Sequence, residues 1–225
     1  MTIRYDNQVA IVTGAAAGLG RSHALALAAR GAKVVVNDLA AADGSLSEGS
    51  LAVVAEIQKA GGEAIANGAN VANMQQVQIM VEQSMEKWGR IDILVNNAGI
   101  LRDKSFANMP IEDFKLVVDV HLMGAANCSK AVWGIMKQQN YGRIVMTTSS
   151  SGLYGNFGQA NYGAAKMAVV GLMNTLCIEG QKNNIYINCL APTARTAMTE
   201  ELIEDKRVLE LMTVESVTTG LLALV

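Results

Sequence analysis

The sequence predicts an α/β protein, with a doubly wound parallel sheet and helices on both of its faces. Short runs rich in Val and Ile alternate with longer Ala- and Leu-rich segments along the 225 residues, as in chains whose strands are joined by crossover helices. The Val- and Ile-rich runs are almost continuously apolar, which is typical of strands covered by helices on both sides. A glycine-rich turn follows the first run directly and leads into the first helix-like segment.

Six strands and the helices between them follow from this alternation. The predicted elements in chain order are QVAIVT, a helix from about Leu19 to Arg30, AKVVVND, a helix from about Gly49 to Ala60, EAIAN, a helix from about Met74 to Trp88, RIDILVNN, a helical stretch from Ile111 to about Gln138, RIVMTT, a helix from about Asn161 to Gln181, and IYINCLA. A last helical segment is predicted from about Met198 to Met212, and no clear final strand follows it. We interpret residues 1–225 as one domain, because a hydrophobic fraction of 51% is enough for one sizeable core.

The composition argues against several kinds of partner. Eighteen basic and twenty acidic residues give a formal net charge of -2 without a basic block, so we expect no nucleic-acid partner. The longest charge-free apolar stretches, such as Met167–Ile178, are shorter than the roughly 18 residues of a membrane span, so no membrane partner is expected. The start MTIRYDNQ lacks the features of a secretory signal, which makes the cytoplasm the default compartment. Three scattered cysteines and two histidines predict no metal site.

The segment Thr13–Gly20, TGAAAGLG, lies between the first strand and the first helix. There a glycine-rich turn and a helix N-terminus can bind a pyrophosphate, so Gly14, Gly18, Leu19 and Gly20 are candidate cofactor-binding residues. A glycine-rich turn alone is a weak signal, since glycines also merely make tight turns.

Asp38 strengthens the nucleotide interpretation, because it ends the second strand 18 residues after Gly20. An acid there can accept hydrogen bonds from the adenosine ribose. A glycine loop followed by an acid at the end of the second strand is typical of a Rossmann-like sheet. The same carboxylate would repel a 2′-phosphate, and Ala15, Ala16, Ala17 and Leu39 offer no cation. The predicted cofactor is therefore NAD rather than NADP. Arg21 is the one nearby cation, and its alternative interpretation is a solvated arginine at the start of a helix.

Tyr162 and Lys166 are four residues apart in a segment of helical composition, so their side chains lie on one helix face. A phenol has an ordinary pKa of about 10, and a neighbouring ammonium lowers it. Ser149 precedes Tyr162 by 13 residues at the end of the strand RIVMTT, where open α/β sheets bind their ligands. Taken singly, each has an ordinary structural interpretation: a buried Tyr is usually part of the core, a Ser in a run usually lies in a loop, and an exposed Lys is usually solvated. Their joint spacing predicts a catalytic group.

Together, T-G-x-x-x-G-x-G, the N-N-A-G run Asn96–Gly99, Ser149 and Y-x-x-x-K resemble the short-chain dehydrogenase/reductase family over almost the whole chain. The resemblance implies that Ser149 steadies the substrate oxygen, Tyr162 transfers the proton, and Lys166 binds the nicotinamide ribose and lowers the pKa of Tyr162. It also implies that Asn70 and Val71 contact adenine, although Asp is commoner than Asn at the first position. Further cofactor-binding residues implied by the resemblance are Asn97, Ala98, Gly99, Tyr162, Lys166, Pro192 and Thr196. Thr193 stands where the family usually has Gly.

A narrower resemblance lies in VVVNDL, NNAGILRDKSF, VDVHLMG and YGRIVMTTSSSGLYGNFGQANYGAAK. These runs are similar to the (3R)-hydroxyacyl-CoA dehydrogenase branch found in peroxisomal multifunctional enzymes of type 2 and in bacterial relatives. The resemblance implies that the substrate is an acyl-CoA, whose 3-hydroxyacyl thioester is oxidised to the 3-oxoacyl form. His121 stands where most of the family has an Asn that serves a proton relay, and this branch also tends to carry His. The residue therefore either serves the relay, as a fourth catalytic residue, or packs near the core.

Several alternatives stay open at this point. The substrate could instead be a steroid, a sugar or another secondary alcohol, and a catalytically silent NAD-binding protein is the alternative of another class. Tyr154 and Phe157 either border the acyl group or pack in the core. The family usually has seven strands, so we expect a missing final strand, and a peroxisomal signal or fused domain would lie beyond Val225. The resemblance implies a homodimer or homotetramer formed through segments 111–138 and 161–181.

Overall fold

The chain folds into a parallel sheet with helices packed against both faces, in a computed structural model that describes residues 3–194 and 206–225. The strands are β1 (Val9–Thr13), β2 (Lys33–Asn37), β3 (Ala64–Asn67), β4 (Ile93–Asn96), β5 (Gly142–Thr147) and β6 (Ile185–Leu190). The α-helices are α1 (Gly18–Ala28), α2 (Glu48–Lys59), α3 (Met74–Trp88), α4 (Ile111–Val118), α5 (Gly124–Gln139), α6 (Ser150–Tyr154), α7 (Ala160–Gly180), α8 (Lys206–Leu211) and α9 (Val214–Leu224).

The strand order in the sheet is β3–β2–β1–β4–β5–β6, and every pairing is parallel. β1 pairs with β2 on one side and with β4 on the other, so Ile11 lies beside both Val35 and Leu94. The winding direction therefore reverses between β1 and β4. In open α/β sheets, ligands bind in the crevice outside the carboxyl ends of the strands at such a point. The predicted fold class is confirmed.

Alternate residues of each strand enter two separate apolar cores. In β1, Ala10 and Val12 face the core beneath α1, α2 and α9, whereas Ile11 faces the core beneath α3, α5 and α7. All three side chains are fully buried. This two-sided coverage explains why the strands read as continuous apolar runs rather than as alternating patterns.

The predicted helix from Ile111 to about Gln138 is interrupted in the structure. A π-helical turn, Asp119–Met123, separates α4 from α5 and has His121 at its centre. Single π turns inside helices are frequent at functional sites, because the extra residue changes the direction in which a side chain points. The sequence pattern alone gave no sign of this break.

Helices α6 and α9 are additions to the predicted elements. The serine run after β5 suggested a loop, but Ser149 caps α6 by accepting a hydrogen bond from the Ser151 amide. α9 packs on α1, and the Tyr5 hydroxyl donates to the carbonyl of Leu222 at 2.5 Å. Of the helical segment predicted from about Met198 to Met212, residues 198–205 lie outside the described residues.

Candidate active site

The loop between β1 and α1 is shaped for close approach of a ligand to the backbone. Gly14 and Gly18 have positive φ angles of 63° and 53°, a conformation that residues with a Cβ rarely adopt. A Cβ on Gly14 would lie 2.8 Å from the Cα of Ala98. The N-cap residue Ala17 offers no side-chain acceptor to the first turn of α1, so the amides at this helix N-terminus are available to an anion.

Gly20 has a different function from the other loop glycines. A Cβ there would come within 2.1 Å of the Gly14 carbonyl oxygen, and Gly20 is buried. It therefore permits α1 to pack against the loop, and the cavity described below is bordered instead by Gly14, Gly18 and Leu19.

Thr13 and Asn97 join this loop to the end of β4. The Thr13 hydroxyl accepts hydrogen bonds from the amides of Asn97 and Ala98, both at 3.0 Å. The Asn97 side chain donates to the carbonyls of Thr13 and Gly14 at 3.0 and 3.1 Å. Sequence reasoning missed Thr13 as a site residue, although its position between β1 and the first glycine was a usable signal. The neighbouring Asn96 is buried and donates inward to Ser129.

A cavity of about 490 Å³ lies over the switch point. Its lining includes nine of the predicted cofactor-binding residues, namely Gly14, Gly18, Leu19, Asp38, Asn70, Val71, Asn97, Ala98 and Gly99. Asp38 follows β2 and its carboxylate accepts a hydrogen bond from the Ala16 amide at 2.9 Å. The acid is therefore held beside the glycine loop. Arg21, the cation near the glycine loop in sequence, forms an ion pair with Glu56 at 2.5 Å.

A second cavity of about 310 Å³ adjoins the first, because Leu19, Asn97 and Gly99 line both. Its other walls bring together the predicted catalytic residues, Ser149, Tyr162, Lys166 and His121, with Pro192 and Thr193. Thr196 lies outside the described residues. The structure thus gathers one set of side chains suited to proton transfer beside one cavity suited to a dinucleotide.

Tyr162 lies in the first turn of α7 and is partly buried. Burial raises the pKa of its phenol, the charge of Asp103 raises it further, and a hydrogen bond with Ser149 lowers it. Ser149 and Tyr162 line the same cavity. A reacting oxygen placed between the two hydroxyl groups could contact both of them.

Lys166 is 4% exposed, in contrast to the solvated lysine that composition alone would suggest. Its ammonium donates to the Thr147 carbonyl at 2.6 Å and lies 5.4 Å from the Tyr162 ring centroid. Burial lowers the pKa of Lys166 to about 7. The expected lowering of the Tyr162 pKa is therefore not what the structure shows, because burial disfavours the charged forms of both groups.

His121 projects from the π-helical turn and is buried. Its Nε2 lies 2.8 Å from the Ile100 carbonyl oxygen and 3.1 Å from the Ile100 amide, and its ring meets that of Tyr162 edge-on with centroids 5.1 Å apart. A Cβ on Gly99 would lie 2.4 Å from the imidazole Cε1. Burial, together with the Lys166 charge, lowers the pKa of His121 to about 3. The imidazole is therefore neutral near pH 7.

A small cavity behind Lys166 collects polar atoms of the interior. Within residues 3–194 and 206–225, Asn96 Oδ1, His121 Nδ1 and Thr147 Oγ1 are buried without a hydrogen-bond partner, and all three residues line this cavity. It offers about 10 Å³ to the centre of a water molecule, which is about the room that one water needs. A single water there would satisfy buried groups that are costly to leave unpaired.

Tyr154 and Phe157 lie on the surface, with exposed fractions of 87% and 89%. The alternative that they pack in the core is wrong. They are close in sequence to Asn156, which lines the cavity containing Tyr162. The glycine loop suits a nicotinamide dinucleotide, because residues 14–18 carry no side chain larger than Ala and contribute to the wall of the first cavity.

Comparison with known proteins agrees with this geometry. The family model for short chain dehydrogenase matches residues 8–207. The chain is 53% identical over 206 residues to the peroxisomal multifunctional enzyme type 2 of Drosophila melanogaster, a match covering 90% of this chain and 34% of that enzyme. The chain thus spans about a third of the length of this relative. It is 48% identical over 196 residues to a 3-oxoacyl-[acyl-carrier-protein] reductase of Synechocystis sp., covering 87% of this chain and 77% of the reductase.

A solved structure of 7α-hydroxysteroid dehydrogenase, complexed with NADH and 7-oxo glycochenodeoxycholic acid, superposes with a TM-score of 0.88. The two chains are 28% identical, and the match covers 97% of this chain and 87% of the other. The family model, these relatives and the shared fold show that the chain belongs to the short chain dehydrogenase family, whose members are oxidoreductases that use a nicotinamide dinucleotide.

Proposed function

We propose that this chain interconverts a (3R)-3-hydroxyacyl-CoA and its 3-oxoacyl-CoA with NAD as the cofactor, and that residues 1–225 act as one NAD-binding domain. The observation that carries the proposal is the meeting of Ser149, Tyr162 and Lys166 in a cavity that adjoins the glycine-loop cavity. The similarity to a peroxisomal multifunctional enzyme and to an oxoacyl reductase supports an acyl thioester as the substrate.

The cavity residues account for the proton part of the reaction. In the oxidation direction, the substrate hydroxyl lies against Ser149 and Tyr162, the phenolate oxygen of Tyr162 accepts its proton, and the carbinol becomes a carbonyl. A bound nicotinamide would supply the acceptor for the hydride that leaves the carbinol carbon. In the reduction direction, the Tyr162 hydroxyl donates the proton to the new alkoxide. A raised phenol pKa suits the donating direction near neutral pH, because it keeps the proton on Tyr162.

We assign Lys166 to the nicotinamide ribose and His121 to positioning. Lys166 is buried and lines the cavity that contains Tyr162, and its ammonium donates one hydrogen bond to the Thr147 carbonyl. Its remaining N–H groups can therefore bind ribose hydroxyls. The His121 ring holds Tyr162 edge-on and is itself held by Ile100. A neutral, hydrogen-bonded imidazole supports this positioning function more strongly than a proton relay through its side chain.

The preference for NAD over NADP rests on Asp38. The Ala16 amide holds the carboxylate beside the glycine loop, and Arg21 forms an ion pair with Glu56. The carboxylate can accept hydrogen bonds from a ribose diol, whereas a 2′-phosphate would meet a like charge. We propose that Pro192 and Thr196 complete the nicotinamide side of the site, as the family resemblance implies.

The test is NADH formation by the purified chain with (3R)-3-hydroxyacyl-CoA substrates of short and long acyl chains, monitored by absorbance. We expect turnover of the 3R substrates and none of the 3S enantiomers, with Tyr162→Phe as the inactive control. Failure to form NADH from every hydroxyacyl-CoA, with NAD binding shown by calorimetry, would reject the substrate class. Faster turnover of a substrate linked to acyl carrier protein would identify that protein, and not CoA, as the carrier of the acyl chain, and the proposed chemistry would stay the same.

A second candidate for the substrate is a hydroxysteroid, which is supported by the superposition on a hydroxysteroid dehydrogenase. Steroids and sugars are distinguished from acyl thioesters in the same assay by a panel of secondary alcohols. A catalytically silent NAD-binding protein is the alternative of another class, and it predicts NAD binding without turnover of any alcohol. The intact set of Ser149, Tyr162 and Lys166 argues against it.

We further propose that the chain acts as a homodimer or homotetramer through helices α4, α5 and α7. Met167 and Ile178 of α7 and Leu116 of α4 are exposed apolar side chains, which suits a helical interface. Light scattering tests the assembly.

Among the described residues, no helix is long and apolar enough to cross a membrane. We propose the cytoplasm as the compartment, with the peroxisome of the multifunctional relative as the alternative, and imaging of the tagged full-length protein separates them.

A further inference from the structure

Two sequence runs that the resemblance singled out are joined in space by a set of hydrogen bonds. The first is the loop after β4, which contains Arg102, Asp103 and Lys104, and the second is the segment Asn156–Asn161 that leads into α7. The Gln159 side chain donates to the Asp103 carboxylate at 2.7 Å, and the Lys104 amide donates to the Gly158 carbonyl at 2.9 Å. These contacts span more than fifty residues of chain, so they are tertiary rather than local.

The bonds continue to the backbone of Tyr162. The Asn161 side chain donates to the Arg102 carbonyl at 3.0 Å and accepts from the Tyr162 amide at 2.7 Å. Asn161 is fully buried and Gln159 is 6% exposed, so solvent does not replace these partners freely. The first turn of α7, which carries Tyr162, is thereby attached to the loop after β4.

We propose that Asp103 and Gln159 form a positioning pair for Tyr162, which fixes the first turn of α7 against the loop after β4 and so shapes the rim of the substrate cavity. The inference rests on the proposed function of Tyr162 as the proton-transfer group. Gln159 and Leu101 both line the cavity that contains Tyr162. A shift of the pair would therefore displace both the phenol and the cavity wall.

Asp103 of the pair also acts on Tyr162 electrostatically. Lys166 on the same helix, His121 from the π-helical turn and Ser149 from the end of β5 line the cavity with the phenol. The charge of Asp103 acts on it from the loop after β4. His121 is neutral near pH 7 and Ser149 is uncharged, so the charges considered around the phenol are the Lys166 ammonium and the Asp103 carboxylate. The Asp103 charge raises the pKa of Tyr162, which gives a readout that a purely structural contact would not move.

The hydrogen-bond pattern allows the pair to be broken and then restored. The Gln159 Oε1 atom accepts from Asn156 at 3.1 Å while its Nε2 donates to Asp103. In Gln159→Glu, the side chain still offers an oxygen that accepts from Asn156. The amide nitrogen that donates to Asp103 is replaced by a carboxylate oxygen, which faces the Asp103 carboxylate. Adding Asp103→Asn to that variant supplies a new donor, so the contact is restored with its polarity reversed.

The experiment compares Gln159→Glu, Asp103→Asn and the double variant, with Asp113→Asn as the matched control. Asp113 is an acid that pairs with Lys104 of the same loop at 3.6 Å and does not contact Gln159. We expect Gln159→Glu to lower kcat by between about tenfold and a hundredfold, because small misplacement of a reacting group is costly, with NAD affinity unchanged. The double variant should recover most of the loss. Recovery of neither kcat nor KM, or an unchanged kcat in Gln159→Glu, would overturn the proposal.

Asp103→Asn tests the proposal without turnover, and it decides the matter even if Gln159→Glu does not fold. Ultraviolet titration of tyrosinate in each protein, minus the same titration after Tyr162→Phe, reports the ionisation of Tyr162 alone. We expect Asp103→Asn to lower the pH at which Tyr162 titrates, because it removes a charge that raises the pKa of Tyr162, and Asp113→Asn to leave that titration in place. An unmoved titration would overturn the proposal. Absence of turnover in the wild-type protein would reject the proposed function, while the titration would still decide the position of Asp103.

Discussion

His23 offers a quantitative test of how the last helix is attached to the fold. The side chain lies in α1, is 1% exposed, and has its Nδ1 2.8 Å from the hydroxyl of Thr218 in α9. The same hydroxyl lies 2.7 Å from the hydroxyl of Ser22. Burial lowers the pKa of His23 from 6.5 to about 4, so the native protein holds a neutral imidazole that the unfolded chain would protonate.

The sign of the effect on stability follows from this difference. Above pH 6.5 both states hold a neutral His23, and the free energy of unfolding contains its full contribution. As the pH falls from 6.5 towards about 4, the unfolded state binds a proton that the native state does not, and stability is lost. At about 1.4 kcal/mol per pH unit, this interval amounts to about 3 kcal/mol.

The perturbation is His23→Gln, which removes the titrating ring and keeps a polar group facing Thr218. Urea denaturation of both proteins is measured from about pH 7 to about pH 4, the interval over which the linkage acts. Because His121 and Lys166 are present in both proteins, the difference between the two curves isolates His23. We expect the wild-type protein to lose about 3 kcal/mol more than the variant. Parallel curves over this range would refute the reasoning.

Three further predictions concern the site. Tyr162→Phe should lower kcat by about a hundredfold or more with NAD affinity kept in calorimetry, and normal turnover would remove Tyr162 from the mechanism. Gly20→Ala should abolish NAD binding, because its Cβ would lie 2.1 Å from the Gly14 carbonyl oxygen. In the control Gly134→Ala the new Cβ meets no atom within 4 Å, so this variant should keep NAD binding and raise the free energy of unfolding by about 0.5–1 kcal/mol. Equal NAD affinity in the two variants would contradict the prediction. Asp38→Asn should weaken NAD binding by about tenfold or more, as expected for loss of a charged hydrogen-bond acceptor, and bring NADP closer to NAD in kcat/KM. An unchanged ratio of the two cofactors would show that Asp38 does not select between them.

Local patterns in the sequence predicted much of this structure. The six strands follow from apolar runs, and the helix Met74–Trp88 has the predicted bounds, because a capping Asn73 and a left-handed Gly89 mark its ends. The glycine loop and the spacing of Tyr162 and Lys166 are likewise local features. Each depends on residues within about two helical turns of one another, so spacing is enough to reveal them.

Other features depend on contacts between distant parts of the chain. The π-helical turn at His121, the docking of α9 on α1 and the pairing of Asp103 with Gln159 involve partners that no spacing rule connects. The surface position of Tyr154 and Phe157 likewise depends on where α6 and the following turn pack.

The sequence alone indicated the glycine loop and the Tyr162–Lys166 pair, because loop geometry and helical spacing are properties of short segments. Only the tertiary structure decided the ionisation of the pair. The pKa of Lys166 is lowered to about 7 and that of Tyr162 is raised, since both side chains are removed from water by packing against distant residues. Desolvation and the charge of Asp103 act through space, and the linear order of residues does not record the distances on which they depend.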